Sequence, residues 1–262
     1  MKIVDLASKY KNDYFTCFED WSDEMVEAGE YKKNVWLEKK KKEGLRVKLA
    51  REENGNIVGM IHYVPIEKAP VIGKDLFYIY CIWVHGYKQG VGNYQGKGIG
   101  RALLKAAEED IRNRGAKGVV AWGIVLPFFM RSKWFKKEGY HKVDNDGMLE
   151  LVWKPFTEDA VPPKLYKQKK KPGKGKGSVS ITCIRNGWCP AQNLAVERVK
   201  RAIAEYEDKI SYLEIDTEDR EKLEEWGISD AVFVDGKNIV AGPPPGYKSI
   251  KKFIDKRVKA LG

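Results

Sequence analysis

The chain has 262 residues, of which 43% are hydrophobic and 32% charged, and its formal net charge is +11 at pH 7. This composition excludes a disordered or membrane-embedded chain and is typical of one large or two modest globular domains. The N-terminus carries charges where a signal peptide needs an apolar run, and the apolar run over 77–84 is too short to cross a bilayer. The four cysteines lack the Cys-x-x-Cys spacing of zinc and dithiol sites, so we expect no metal, no membrane and a cytoplasmic location.

A lysine-rich segment divides the chain. Seven lysines and no acidic residue lie between Lys164 and Lys176, among glycines and a proline. Because such a segment repels itself and has no apolar periodicity, we predict domains over 1–156 and 178–262 joined by an extended linker over 157–177. A nucleic-acid-binding tail is the alternative, since lysines release counterions from phosphates, but we expect no nucleic-acid partner.

Strand and helix signals alternate along the first domain. Arg46–Glu52 and Asn56–Pro65 predict a hairpin that turns through Asn54-Gly55. Leu76–Val84 is apolar throughout, as expected of a strand that is buried on both faces. The later predicted elements follow in order: a helix over Ile99–Arg114, a strand over Val119–Val125, a helix from Pro127 to Lys137, and strands over Tyr140–Val143 and Met148–Trp153.

A glycine-rich loop, Gln95-Gly-Lys-Gly-Ile-Gly100, lies between the buried strand and the amphipathic helix. Glycines let the backbone approach a ligand closely, and a helix N-terminus offers unpaired N–H groups and a positive dipole end. These are the requirements for holding a pyrophosphate. The dinucleotide fingerprint G-x-G-x-x-G is matched only loosely, and the Walker A spacing is absent.

The loop and its neighbours resemble the GNAT superfamily of N-acetyltransferases. The family signature Q/R-x-x-G-x-G/A, after a strand that ends in valine, is matched by Gln95–Gly100 and Val84. Arg101-Ala-Leu-Leu104 resembles the start of the family's pyrophosphate-binding helix, and Trp134–Tyr140 resembles the Tyr-x-x-x-Gly-Phe element that closes its cofactor site. The resemblance implies an α/β GNAT fold, in which helices flank a mixed, mostly antiparallel central sheet.

The resemblance also implies an acetyl-CoA-dependent N-acetyltransferase in which an amine attacks the acetyl group directly. Backbone groups of Ile82 and Val84 would pair with the pantetheine arm, and the acetyl carbonyl would lie near Ile82 and Trp83. Phe135, in the closing element, would complete the cofactor site. Arg101 and the backbone of the preceding loop would hold the pyrophosphate, the loop residues being Gln95, Gly96, Lys97, Gly98, Ile99 and Gly100.

The residues that family members commonly use for proton transfer are not at their usual positions. Phe135 replaces a tyrosine general acid, and Tyr78 stands where some members have a basic glutamate. The candidates for proton transfer, each with a purely structural alternative, are Tyr78, Tyr80, Cys81, His85 and Glu67. Proton transfer through water is also sufficient, so the departures concern the mechanism more than the function.

Two regions bear on the amine acceptor. Asn12–Lys42 would line the acceptor side of this fold, and its acidic residues suit a cationic amine, although a solvated helix face explains them equally well. These acids are Asp13, Glu19, Asp20, Asp23, Glu24, Glu27 and Glu30. The insertion His85–Tyr94 is longer than the family's usual turn and is either a mobile flap or a surface loop. The sequence determines neither the acceptor nor the oligomeric state.

The C-terminal domain shows a β-α-β-α-β-β-α order that resembles the thioredoxin fold and the YoaP-like domain found in some GNAT proteins. The predicted elements are Val179–Ile184, Ala191–Tyr206, Ile210–Ile215, Arg220–Trp226, Ala231–Val234, Lys237–Val240 and Tyr247–Val258. Trp188-Cys189-Pro190-Ala191-Gln192 stands where thioredoxins carry Trp-Cys-x-x-Cys, and Gln192 excludes a dithiol cycle.

Cys189 is a candidate thiol site, because a helix N-terminus lowers the pKa of a cysteine. It could act alone, bind a thiol ligand or pair with Cys183, or it could belong to a domain that is used for docking. A second function class therefore stays open beside the enzyme: a non-catalytic CoA-binding regulatory protein whose C-terminal domain senses thiols or docks a partner.

Overall fold

The computed structural model describes residues 1–127, 129–240 and 242–261, apart from the side chain of Glu207. The β-strands of these residues are β1 Lys2–Asp5, β2 Arg46–Arg51, β3 Ile57–Pro65, β4 Val71–Ile72, β5 Phe77–Val84, β6 Gly118–Ile124, β7 His141–Asp146, β8 Leu149–Pro155, β9 Lys164–Leu165, β10 Val179–Arg185, β11 Ile210–Asp216, β12 Ala231–Val234 and β13 Lys237–Asn238. The α-helices are α1 Lys11–Phe15, α2 Asp23–Tyr31, α3 Leu37–Lys42, α4 Ile99–Asn113, α5 Ser132–Lys137, α6 Pro190–Ile203, α7 Arg220–Trp226 and α8 Tyr247–Lys259.

The chain forms two compact units that do not follow the sequence order. The first contains residues 1–22 and 37–165, and the second contains residues 23–36 and 166–262. The sequence predicted a division at a 157–177 linker instead. Helical periodicity identifies which face of a helix is buried, but it does not show which domain covers that face. The sequence pattern therefore could not predict that residues 23–36 pack in the second unit.

A seven-stranded sheet forms the centre of the first unit, in the order β1-β2-β3-β5-β6-β8-β7. The β5–β6 pair is parallel, whereas the other neighbours in this sheet run antiparallel. Helix α4 buries Leu103, Leu104, Ala107 and Ile111 against the sheet, as its apolar period requires. The expected mixed, mostly antiparallel sheet flanked by helices is confirmed.

The helix predicted from Pro127 to Lys137 is shorter than expected, because α5 begins at Ser132. The preceding segment folds back onto β6, where the N–H of Ile124 donates to the carbonyl of Met130 at 2.8 Å. Met130 has a φ of +49°, which no helical residue adopts. Phe128, which falls in the predicted helix, lies outside the described residues.

The backbone over 164–176 contacts other elements. β9 pairs antiparallel with β4 in the first unit. In the second unit the N–H of Lys169 donates to the carbonyl of Trp226 at 2.9 Å, and a Cβ on Gly227 would lie 1.9 Å from the carbonyl of Lys167. The segment is therefore not the extended linker that its composition predicts. Composition shows that the lysines repel one another, but it does not show which backbone carbonyls or strand edges the segment can bond to in the folded protein.

The sheet of the second unit has the order β11-β10-β12-β13, with β10 and β11 parallel and the other pairs antiparallel. The predicted succession of strands and helices over 178–262 is confirmed, and α6 and α8 pack on this sheet through a common apolar core. No helix of the described residues is both long and apolar enough to cross a bilayer. The cytoplasmic location stays a prediction.

An ion pair inside the second unit gives its stability a pH dependence. Arg198 donates to both carboxylate oxygens of Glu24, and this hydrogen bonding holds the pKa of Glu24 below its ordinary value. Because the folded pKa is lower than the unfolded pKa, the pair stabilises the unit above the unfolded pKa of about 4.3 and loses its effect as the pH falls through the folded value. We expect the urea midpoint of the wild type to fall more between pH 5.5 and 3.5 than that of Glu24→Gln. Equal decreases in both proteins would contradict the assignment.

Candidate active site

Strands β5 and β6 separate part-way along their length. They pair only over Phe77–Ile79 and Val119–Ala121. On the other side of β5, His62 lies opposite Cys81 while Tyr63 lies opposite Ile79, so Tyr80 is an extra residue that forms a β-bulge. A bulge bends its strand and disrupts pairing, which leaves the end of β5 with an open edge toward β6.

The open edge presents backbone polar groups. The N–H of Ile82 faces the sulfur of Met130 at 3.5 Å, and the carbonyl of Val84 accepts a long hydrogen bond of 3.4 Å from the Gln95 side chain. Both contacts are weak and involve side chains that can move away. An extended ligand with its own amides can therefore pair with this edge as an added strand would.

The N-terminus of α4 lies at the same opening. Gly98 is the N-cap residue with a φ of +77°, and neither a side-chain cap nor an acidic residue in the first turn serves the helix. The first N–H groups of a helix have no internal acceptor, and the dipole of the helix is positive at this end. Gly96 also has a positive φ of +80°, so the two glycines bend the backbone around the place where these N–H groups converge.

A cavity of about 690 Å³ joins the open strand edge to the helix N-terminus. It is lined by all the predicted cofactor residues except Lys97: Ile82, Trp83, Val84, Gln95, Gly96, Gly98, Ile99, Gly100, Arg101 and Phe135. The ammonium of Lys97 lies instead over the ring of Tyr94, at 4.3 Å from its centroid. The structure thus brings the predicted residues together, while their role in binding stays a prediction.

Trp134 also lines the cavity and belongs to the predicted closing element, although no contact was assigned to it. The lining residues that the sequence analysis missed are Tyr94, Pro127, Phe129, Met130 and Arg131. Pro127, Phe129, Met130 and Arg131 were missed because the sequence predicts a helix over this segment. A signal was present in Gly123, since a glycine inside a strand often marks close backbone approach. A Cβ on Gly123 would lie 2.6 Å from the backbone of Ser132, so this glycine lets the segment cross β6.

The two arginines at the cavity differ in their surroundings. Arg101 makes a bidentate ion pair with Glu138, with nitrogen–oxygen distances of 2.9–3.1 Å, and hydrogen bonding to this carboxylate raises the pKa of Arg101. Arg131 is exposed and has no ion-pair partner among the described residues. Arg131 thus offers an uncompensated positive charge, whereas the charge of Arg101 is already matched.

If Arg101 holds the pyrophosphate as the resemblance implies, its ion pair with Glu138 should weaken acetyl-CoA binding. In Glu138→Gln the guanidinium of Arg101 would lose its anionic partner and could face the phosphates instead. We expect acetyl-CoA to bind about threefold more tightly, which is roughly 0.7 kcal/mol, when measured by calorimetry at low salt. Glu109→Gln, which makes the same charge change at an exposed position of α4, is the control and should leave the affinity unchanged. Weaker binding by Glu138→Gln would contradict this prediction.

Most proton-transfer candidates lie on the face of β5 opposite α4. Tyr78, Tyr80 and Cys81 are all buried, and the two tyrosine rings meet edge to face at 5.3 Å. Glu67 is exposed and accepts a hydrogen bond from the N–H of Asp75 at 2.8 Å, which fits its structural alternative as a turn-stabilising surface residue.

His85 is fully buried and contacts other residues of the 85–94 insertion. Its Nδ1 lies 2.6 Å from the carbonyl of Gly92, so Nδ1 donates a hydrogen bond to this carbonyl, and in the neutral imidazole the lone pair is on Nε2. Nε2 is buried without a hydrogen-bond partner among the described residues, and the imidazole packs against Trp21 and Tyr87 at centroid distances of 5.4 and 5.7 Å. A Cβ on Gly90 would lie 2.4 Å from the Trp21 ring, so the insertion is packed against Trp21.

A row of aromatic rings leads from the cavity to the surface. Phe129, Trp83, Tyr87 and Trp21 follow one another at centroid distances of 5.7, 6.1 and 5.9 Å. Trp21 and Tyr87 are 40% and 43% exposed, which is unusual for such large side chains. An exposed aromatic surface next to this cavity is suited to a ligand that has an apolar or cationic part.

The predicted acidic cluster is divided between the two units. Glu24 and Glu27 pair with Arg198 and Arg201 in the second unit. Burial raises the pKa values of Asp13 and Glu19, and Glu19 adds to the burial that raises the pKa of Tyr87. Glu19 therefore lies near the aromatic row, without an ion-pair partner among the described residues.

A bulged strand that opens beside a helix with glycine as its N-cap residue is a geometry suited to a ligand with amides and phosphates. The profile of the acetyltransferase (GNAT) family matches residues 5–140, which is just over half of the chain. The chain belongs to this family of acetyl-CoA-dependent N-acetyltransferases and is an enzyme of this class.

Solved structures similar to the chain come from several organisms. A GNAT family acetyltransferase from Brucella melitensis in complex with acetyl-CoA is 17% identical, with 62% of this chain and 94% of that chain covered and a TM-score of 0.41. The PaiA N-acetyltransferase from Thermoplasma acidophilum, in complex with coenzyme A, is 16% identical over 60% and 100% of the chains, with a TM-score of 0.43. A GNAT family N-acetyltransferase from Escherichia coli in complex with CoA is 13% identical over 60% and 82%, with a TM-score of 0.43. No curated protein matches the chain.

Proposed function

We propose that this acetyltransferase binds acetyl-CoA between the open edge of β5 and the N-terminus of α4, and that its acceptor is a cationic amine. The observation that carries the proposal is the first turn of α4, which lines a cavity and has no side-chain cap among the described residues, so its N–H groups are available to a ligand. The backbone of Ile82 and Val84 supplies the pairing groups for the pantetheine arm. Arg131 supplies a positive charge for the phosphates of the cofactor, in addition to the positive dipole end of α4.

Acetyl-CoA, when bound, supplies an acetyl group that is activated as a thioester. The residues of this chain hold the ligand and the amine in line, which is the largest contribution that such a site can make. The amine must lose a proton before it attacks. Among Tyr78, Cys81 and His85 we favour His85, because its Nδ1 donates to a carbonyl and its Nε2 has no hydrogen-bond partner among the described residues. Transfer through water is the alternative.

The acceptor is proposed to approach along the aromatic row. Trp21 and Tyr87 are partly exposed aromatic rings that can attract a cation, and Glu19 adds a carboxylate close to Tyr87. An ammonium group would find both attractions at this surface. Trp21→Ala should therefore raise the KM of the amine and leave the Kd of acetyl-CoA unchanged.

Calorimetry with acetyl-CoA, followed by an assay for released CoA thiol, tests the proposal. The amines to be tried are spermidine, tyramine, an aminoglycoside and a lysine-containing peptide. Binding with thiol release in the presence of a cationic amine supports it, and a folded protein that does not bind acetyl-CoA would exclude it. Binding without thiol release in any reaction would favour the second function class, a regulatory CoA-binding protein.

We also propose that residues 178–262 form a thioredoxin-like domain, which the strand order β11-β10-β12-β13 supports. Cys189 is the N-cap residue of α6, and Pro190 follows at its first position. Cys183 is fully buried in the core, and burial raises its pKa to about 12. A pairing of Cys183 with Cys189 is therefore disfavoured, so a thiol function would fall to Cys189 alone.

A further inference from the structure

The second unit includes a helical segment that is far away in sequence from its other residues. Residues 23–36 comprise α2 and a π-helical turn, Lys32–Trp36. The buried positions of this segment recur at helical spacing: Met25, Ala28, Gly29, Lys32 and Trp36. One face of an amphipathic segment is therefore covered within the unit, and the contacts with residues 178–262 are specific.

The centre of the contact is apolar. Met25 and Ala28 form a buried cluster with Leu194 of α6. The side-chain amide of Asn193, which is fully buried, donates to the carbonyls of Ala28 and Gly187 at 3.4 and 3.2 Å. A buried amide that bridges two backbones fixes how the helix lies on α6, because a shifted helix would leave the amide unpaired.

Opposite charges match along one edge of the contact. Arg198 donates to Glu24, and Arg201 donates to Glu27 at 2.6 Å and to Glu24 at 3.4 Å. The two arginines are three residues apart on α6, and the two glutamates are three residues apart on α2. Residues at this spacing lie on the same face of their helix, so the two arginines of α6 align with the two glutamates of α2. This arrangement favours an acidic helix as the partner of α6.

Aromatic contacts close the other end of the segment. The Arg185 guanidinium lies 3.6 Å from the centroid of the Tyr31 ring, and the Trp36 indole N–H donates to Glu218 at 3.2 Å. Gly187 has a φ of +92°, and a Cβ there would lie 2.4 Å from the Tyr31 ring. Glycine is therefore needed at position 187 for two reasons: the backbone has a positive φ, and a side chain there would clash with the Tyr31 ring.

We propose that residues 178–262 are a docking module for an acidic amphipathic helix and that their partner is Asp23–Trp36 of the same chain. The docked segment contacts Gly187 just before the Trp188-Cys189-Pro190 motif and Asn193 just after it. The segment also lies within the residues that match the acetyltransferase family.

Hydrogen exchange of the full-length protein, read at residues 23–36, tests the docking without any ligand. Arg198→Glu combined with Arg201→Glu should speed this exchange at least tenfold, since like charges would then face each other. Adding Glu24→Arg and Glu27→Arg should restore exchange to within about threefold of the wild type, because the pairs are re-formed with reversed sign. Lys248→Glu with Lys252→Glu, an equal charge change on exposed positions of α8, should leave 23–36 unchanged.

Exchange of residues 179–185 reports whether the module itself stays folded. Unchanged exchange at 23–36 in the doubly reversed variant would overturn the proposal. Failure of the fourfold variant to restore the slow exchange would overturn it as well, even if the doubly reversed variant were unfolded. Because acetyl-CoA is absent from this experiment, its outcome does not depend on whether the acetyltransferase site has been assigned correctly.

Discussion

Gly98→Asn should bind acetyl-CoA at least a hundredfold more weakly than the wild type, which is about 2.8 kcal/mol of binding free energy. Asparagine tolerates the left-handed backbone conformation better than other side chains, so the φ of +77° adds little strain. A Cβ at this position meets no protein atom within 4 Å and would project into the cavity that Gly98 lines. The side chain would therefore occupy the space in which the phosphates approach the helix N–H groups.

Gly147→Asn is the matched control for this experiment. Gly147 also has a positive φ, of +55°, and a Cβ there would likewise meet nothing within 4 Å, but it lies in the turn between β7 and β8. Calorimetry should give a wild-type Kd for Gly147→Asn, and both variants should unfold within a few degrees of the wild type. Equal acetyl-CoA affinities in the two variants would mean that the α4 N-terminus does not hold the cofactor.

The lining of the candidate cofactor cavity was largely predictable from the sequence because most of its residues are close together in the chain. The glycine loop, the apolar strand before it and the amphipathic helix after it occupy one stretch of chain, and periodicity reports such neighbours well. Ile82 and Gly98 line one cavity for this reason. The bulge at Tyr80, which opens the strand edge, left no signal of its own, since it is a mismatch in register between two strands.

Interactions across long sequence separations were not predictable. The ion pair of Arg101 with Glu138 joins residues 37 positions apart, and the pair of Glu24 with Arg198 joins residues 174 apart. The sequence shows that Arg101 and Glu24 are charged residues, but it does not show which residue forms an ion pair with each of them. The acidic residues of 12–42 consequently read as one cluster, although Glu24 pairs within the second unit.

Glu108→Ala should destabilise the first unit by about 3 kcal/mol, because it leaves two polar groups without their acceptor. Glu108 is 9% exposed and accepts hydrogen bonds from the Tyr140 hydroxyl at 3.0 Å and the Lys154 ammonium at 2.9 Å. Burial, together with Glu108, holds the pKa of Tyr140 well above its ordinary value. We expect the thermal midpoint to fall by about 6–12 °C, at 2–4 °C per kcal/mol for a unit of this size.

Glu109→Ala, at the exposed neighbouring position, should change the midpoint by less than about 2 °C. Adding Lys154→Met to Glu108→Ala should recover part of the loss, since the uncompensated ammonium is then removed as well. A midpoint for Glu108→Ala that matches Glu109→Ala would contradict the prediction.

The network joins α4, β8 and the turn after α5, and α4 and α5 both line the cavity. Its loss should therefore also weaken acetyl-CoA binding at temperatures where the protein is still folded, because the helix N-terminus and Phe135 would no longer be held in fixed positions.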